Sequence, residues 1–155
     1  MKLGTLLQVG IVTEDLEGSI AALKQFGFEE WEPMPFRPNF IPNMIQDGKP
    51  GDLAFDGATC QKDGVEFELI HPISESVFMD FMRKHGTAVH HLAFRPVDGY
   101  DSFMEEYRAT WGKPLMEVSD DQRRGGFGYL NTMDKIGFNV EIHIAKPGAP
   151  ADVED

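Results

Sequence analysis

The strongest constraint on this chain is an internal repeat that carries polar residues inside apolar, strand-forming segments. Leu7-Gln8-Val9-Gly10-Ile11 matches His90-His91-Leu92-Ala93-Phe94, and Phe67-Glu68-Leu69-Ile70 matches Val140-Glu141-Ile142-His143. Each matched pair brackets the same succession of segments, a strand, a helix and three more strands, and a short helix joins the halves. A repeat of this kind predicts an α+β fold in which two βαβββ modules, about residues 5–72 and 87–145, share one curved mixed sheet around a cleft. Residues 1–145 then make a single domain, a size suited to one hydrophobic core. Residues 146–155, which are Pro-rich and acidic, read as a flexible tail.

The segments follow from local patterning. Leu6 to Val12 is an apolar run interrupted by Gln8, and Thr13-Glu14-Asp15 supplies cap-type residues for a helix whose apolar face is Leu16, Ile20, Leu23 and Phe26. Gly27 is its expected stop, and Phe28 to Trp31 reads as a short strand. Met34 to Gly51, flanked and interrupted by prolines, reads as a long irregular loop. Leu53 to Cys60 and Val65 to His71 are strand-like around a Lys62-Asp63-Gly64 turn. A second helix is expected from Val77, ending at Gly86, and a third from Tyr100 to Trp111. Strands follow near Leu115 to Val118, Phe127 to Asn131 and Phe138 to Ile144, with a polar loop at residues 119–126 that holds Arg123 and Arg124.

Composition removes several function classes. With 14 basic and 26 acidic residues the formal charge is −12, which repels nucleic-acid phosphate. The single cysteine, Cys60, excludes an internal disulfide. No apolar run reaches the roughly 20 residues that span a bilayer, and the first residues lack a signal-peptide pattern. The expectation is a cytoplasmic protein that acts on a small molecule, with no nucleic-acid or membrane partner.

The repeat also predicts chemistry. Paired modules bring equivalent strands together, so Gln8, Glu68, His91 and Glu141 would meet in one cleft. Burying four such groups is costly unless something pairs them, and a divalent cation does. Two carboxylates, an amide oxygen and an imidazole suit Co²⁺, Mn²⁺, Ni²⁺, Zn²⁺ or Mg²⁺ in six-coordinate geometry, with about two positions left for substrate oxygens. A closed structural zinc site prefers cysteine and histidine. His143, two residues beyond Glu141, should share the cleft face and is a candidate proton shuttle. His90 should alternate to the opposite face and pack in the core.

These residues resemble the vicinal oxygen chelate superfamily, and within it methylmalonyl-CoA epimerase-like and glyoxalase I-like proteins. The likeness is carried by Gln8-Val9-Gly10-Ile11-Val12, Glu68-Leu69-Ile70-His71-Pro72, Val89-His90-His91-Leu92-Ala93-Phe94 and Gly137-Phe138-Asn139-Val140-Glu141-Ile142. The resemblance implies metal ligation by Gln8, Glu68, His91 and Glu141, with His91 chosen over His90 because it directly precedes Leu-Ala-Phe. It implies a metal-dependent isomerase or epimerase that abstracts a proton next to a chelated carbonyl, for which an acyl-CoA such as methylmalonyl-CoA is the expected substrate. Glu141 would act both as ligand and as base, beside His143. Alternatives are a glyoxalase I-type lactoylglutathione lyase and a small-molecule-sequestering protein without catalysis. A homodimer is expected from the same resemblance. Two departures stand out: epimerases usually carry histidine where this chain has Gln8, and their catalytic glutamate has no counterpart here except Asp47 or Asp52.

Overall fold

Period-two apolar segments pair into one ten-stranded mixed sheet in the computed structural model, which describes residues 1–38, 45–46, 49–50, 53–119 and 126–144. The first module supplies β1 (Leu3–Val12), α1 (Leu16–Lys24), β2 (Trp31–Pro33), β3 (Ile45–Gln46), β4 (Lys49–Pro50), β5 (Phe55–Lys62) and β6 (Val65–Pro72). After α2 (Val77–His85), the second supplies β7 (Ala88–Pro96), α3 (Tyr100–Trp111), β8 (Met116–Ser119), β9 (Gly126–Tyr129), α4 (Met133–Ile136) and β10 (Asn139–Ile144). The strand order is β2-β5-β6-β1-β7-β10-β9-β8-β3-β4. The modules therefore meet at an antiparallel β1–β7 seam, with β6 parallel to β1 on one side and β10 parallel to β7 on the other. This is the curved α+β sheet that the repeat predicts.

Two apolar clusters hold the sheet. Phe78 and Phe81 of α2 join Val12, Phe55, Ile70, Met116, Val118 and Tyr129. Phe103, Met104 and Tyr107 of α3 pack with Leu130, Val140 and Ile142. Helix starts follow the sequence: the Asp15 side chain accepts from the Gly18 N–H at 3.0 Å, and Ser76 accepts from the Met79 N–H at 3.3 Å.

Four local expectations change. Phe26 does not face the core but stands 78% exposed, because α1 ends at Lys24 and Phe26 lies in the turn beyond it. The short strand expected at Phe28 to Trp31 is Trp31–Pro33 instead; the Phe28 N–H still bonds the Leu23 carbonyl at 3.2 Å, so the chain has not yet left the helix end. The Pro-rich stretch contains two short strands: β3 pairs antiparallel with β8 of the second module, and β4 with β3. A four-residue helix, α4, not expected from the sequence, precedes the last strand and closes on Gly137, whose φ of 85° suits glycine. The tail 146–155, Asp47, Asp52, Arg123 and Arg124 lie outside the described residues. No helix among the described residues is long and apolar enough to cross a membrane.

Candidate metal centre

Register places the predicted groups on two neighbouring rows of the sheet. Glu68 pairs with Gly10, which pairs with His91, which pairs with Asn139. One step along, Glu66 pairs with Gln8, Gln8 with Ala93, Ala93 with Glu141, and Glu141 with Tyr129. Residues two apart on a strand share a face, so all of these side chains address one side of the sheet.

The four predicted ligands converge on one atom. His91 Nε2 lies 3.0 Å from Gln8 Oε1, 3.3 Å from Glu68 Oε2 and 3.1 Å from Glu141 Oε2. All four residues are buried. Gly10 makes the convergence possible: a Cβ there would stand 2.0 Å from His91 Nε2, so the imidazole occupies the space that glycine leaves.

Three of the four groups have an outer partner. Gln8 Nε2 donates to Glu66 Oε1 at 2.6 Å, which turns the amide oxygen toward His91. Gln61 Nε2 donates to the other Glu66 oxygen at 3.1 Å. His143 Nε2 stands 2.9 Å from Glu141 Oε1, on the predicted face, with its side chain 42% exposed. His90 Nδ1 lies 3.0 Å from His91 Nδ1.

A ring nitrogen carries at most one proton, so His91 Nε2 can serve at most one of the three oxygens around it. Glu141 Oε2 is buried without a hydrogen-bond partner. Unpaired buried carboxylate oxygen is costly, and a cation removes the cost. Among the described residues, no group of three or more His, Cys, Asp and Glu side chains is arranged to hold a metal ion; Glu68 and Glu141 instead touch through His91. The three oxygens stand 3.0 to 3.3 Å from His91 Nε2, and adjacent ligands of a six-coordinate ion with bonds near 2.1 Å stand about 3.0 Å apart. Two carboxylates, an amide oxygen and an imidazole fit such an ion.

Charge is strongly coupled here. Burial alone would lower the His91 pKa, but Glu141 and Glu68 outweigh it and raise it to about 9. Burial would raise Glu141, and the imidazoles of His91 and His143 instead hold it down at about 2. Glu68 is raised, chiefly by burial, with His91 opposing. Tyr129, the register partner of Glu141, is raised well above its ordinary range by burial and by the charges of Glu141 and Glu68, so its hydroxyl keeps its proton. A histidine raised to about 9 contributes stability that is full below its unfolded value near 6.5 and is lost as pH rises through 9. Protein kept in EDTA should therefore lose stability between about pH 6.5 and 9, read as a falling denaturant midpoint. The His91→Asn variant should show a much flatter profile over that window.

Sequence reasoning missed four residues that shape the centre. Glu66 and Gly10 were accessible to it, each two positions from a ligand on the same strand. Tyr129 follows from the pairing of β9 with β10, which sequence does not show. His90 is a correction. Strict alternation puts it on the far face, yet it packs with Phe78, Phe81 and Tyr129 on the His91 side, its ring 5.2 Å from that of His91. The cause is a bulge: Gly10 opposes His91 and Ile11 opposes Val89, which leaves His90 as the extra residue.

The sequence matches the family described as the Glyoxalase/Bleomycin resistance protein/Dioxygenase superfamily over residues 7–128. No curated protein sequence matches it. Solved structures do match in fold. A variant of methylmalonyl-CoA epimerase from Streptomyces coelicolor, in complex with 2-nitronate-propionyl-CoA, is 19% identical with a TM-score of 0.57, covering 96% of this chain and all of that one (100%). Methylmalonyl-CoA epimerase from Mycobacterium tuberculosis is 18% identical with a TM-score of 0.59, covering 94% of this chain and 90% of its own. A Bacillus halodurans protein described as hypothetical is 18% identical with a TM-score of 0.58, covering 94% and 96%.

Proposed function

This chain belongs to the glyoxalase/bleomycin resistance protein/dioxygenase superfamily, and on that premise we propose that it is a divalent-metal-dependent enzyme that moves a proton next to a chelated carbonyl. The proposed substrate is an acyl-CoA such as methylmalonyl-CoA. The observation that carries the reading is the convergence of Gln8, Glu68 and Glu141 oxygens within 3.3 Å of His91 Nε2, with one carboxylate oxygen left unpartnered.

Gln8, Glu68, His91 and Glu141 would hold the ion, which when bound supplies Lewis-acid stabilisation of charge on the substrate oxygens. The protein's own groups handle the proton. Glu141 Oε2 faces the other three groups and would ligate, while Oε1, tied to His143, would carry the proton. A carboxylate held near a pKa of about 2 is ionised at neutral pH but a weak base. His143, whose pKa is raised by Glu141 against the pull of burial, faces Oε1 at 2.9 Å and in its neutral form would take a proton on from that oxygen. Its half-exposed ring offers exchange with solvent. Burial of the four ligands keeps bulk water from competing for them.

Gln8 favours one second reading, because glutamine in this position is similar to a form of glyoxalase I. That reading uses the same proton abstraction on a hemithioacetal and returns the proton to the neighbouring carbon. A sequestering protein without catalysis is the third reading, and the homodimer belongs to the proposal as well. Elemental analysis of the purified chain should find about one divalent ion per chain, lost in Glu141→Ala. Assays with methylmalonyl-CoA and with a hemithioacetal then choose between the two reactions. Metal content near zero after incubation with Co²⁺, Mn²⁺ and Ni²⁺ would overturn the enzyme reading in favour of sequestration.

A further inference from the structure

We infer that His90 is a positioning residue that accepts the Nδ1 proton of His91 and so leaves Nε2, the nitrogen facing the three oxygens, as the one that can exchange its proton for a cation. The inference rests on the metal reading above, but its own observation is the contact between the two rings. A neutral imidazole has one N–H, and two facing Nδ1 atoms at 3.0 Å bond only if one of them carries it. The two arrangements are not equivalent. If His90 donates, His91 must carry its proton on Nε2 and offers no lone pair to a cation. If His91 donates from Nδ1, Nε2 can give up its own proton in exchange for a cation.

The surroundings favour His90 as the acceptor. Its ring packs at steep angles against Phe78, Phe81 and Tyr129, an aromatic surround that disfavours a second proton, and it also lines the cavity shared with His85 and Asn139. The bulge in β7 is what delivers it: without the extra residue, alternation would send the His90 ring to the opposite face. Metal-ligating histidines generally need such a partner for the second nitrogen, and here a histidine fills a place more often taken by a carbonyl or carboxylate.

Two variants and one spectrum test this. Phenylalanine keeps the aromatic packing and removes the acceptor, with room beside it in a cavity of about 230 Å³ between α2 and α4. Asparagine places Oδ1 near where Nδ1 stood and restores an acceptor. Co²⁺ titration, followed by the visible spectrum of the bound ion, should show H90F about 10–100-fold weaker than the unmodified protein and H90N close to it. In ¹⁵N-histidine protein, with and without Zn²⁺, the His91 Nδ1 should carry a directly bonded proton and show a coupling across the hydrogen bond to His90 Nδ1. A folded H90F chain that binds Co²⁺ as tightly as the unmodified protein would overturn the inference, and so would absence of the cross-ring coupling. If H90F fails to fold, H90N and the coupling decide the matter. If the unmodified chain takes up no metal, the metal reading fails, while the coupling in metal-free protein still reports on His90.

Discussion

Replacing Glu141 with Gln should reduce turnover by about 10²–10⁴-fold while weakening Co²⁺ binding far less. The separation of the two effects follows from the carboxylate's two oxygens. Oε1 is engaged with His143 at 2.9 Å, and Oε2 stands unpartnered beside His91. An amide keeps a carbonyl oxygen that can ligate, and it cannot receive a proton. Steady-state rates on whichever substrate the unmodified protein turns over, measured beside a Co²⁺ titration, would read both. Undiminished turnover would remove Glu141 from proton transfer; loss of metal in step with turnover would make it a ligand alone.

A single methyl group at Gly10 should abolish metal binding and destabilise the fold by about 1–3 kcal/mol, the usual cost of overpacking. The added carbon would lie 2.0 Å from His91 Cε1 and Nε2, inside the ring's own contact distance. His91 is fully buried, and Tyr129 stands 4.8 Å from it on another side, so the ring has little space to retreat. Both consequences have one cause: the imidazole of the proposed ligand set sits in the gap opposite that glycine. Chemical denaturation and Co²⁺ titration of Gly10→Ala measure the two effects. Co²⁺ uptake at the unmodified level would mean that His91 does not depend on this gap.

The convergence of the four side chains was legible because it obeys a rule the sequence displays. Gln8, Glu68, His91 and Glu141 occupy matched places in a repeat, and period-two alternation turns each toward one face. The same rule would have found Glu66. It misplaced His90, because a bulge depends on how β7 registers against β1, some eighty positions away in the chain. It read residues 34–51 as irregular because two-residue strands show no period; their pairing exists only once β8 offers an edge. Phe26 looked like a helix-face residue because its spacing is right, but the helix stops two residues before it.

The stretch that carries β2, β3 and β4 supplies both outer strands of the sheet. These terminal strands are three and two residues long. Each contains a proline, Pro33 in one and Pro50 in the other, beside a charged residue, Glu32 or Lys49. Open strand margins template the addition of further chains, and short, charged, proline-bearing ends block it. One loop of a single module thus caps a ten-stranded array at both limits, guarding it against fibril-like growth.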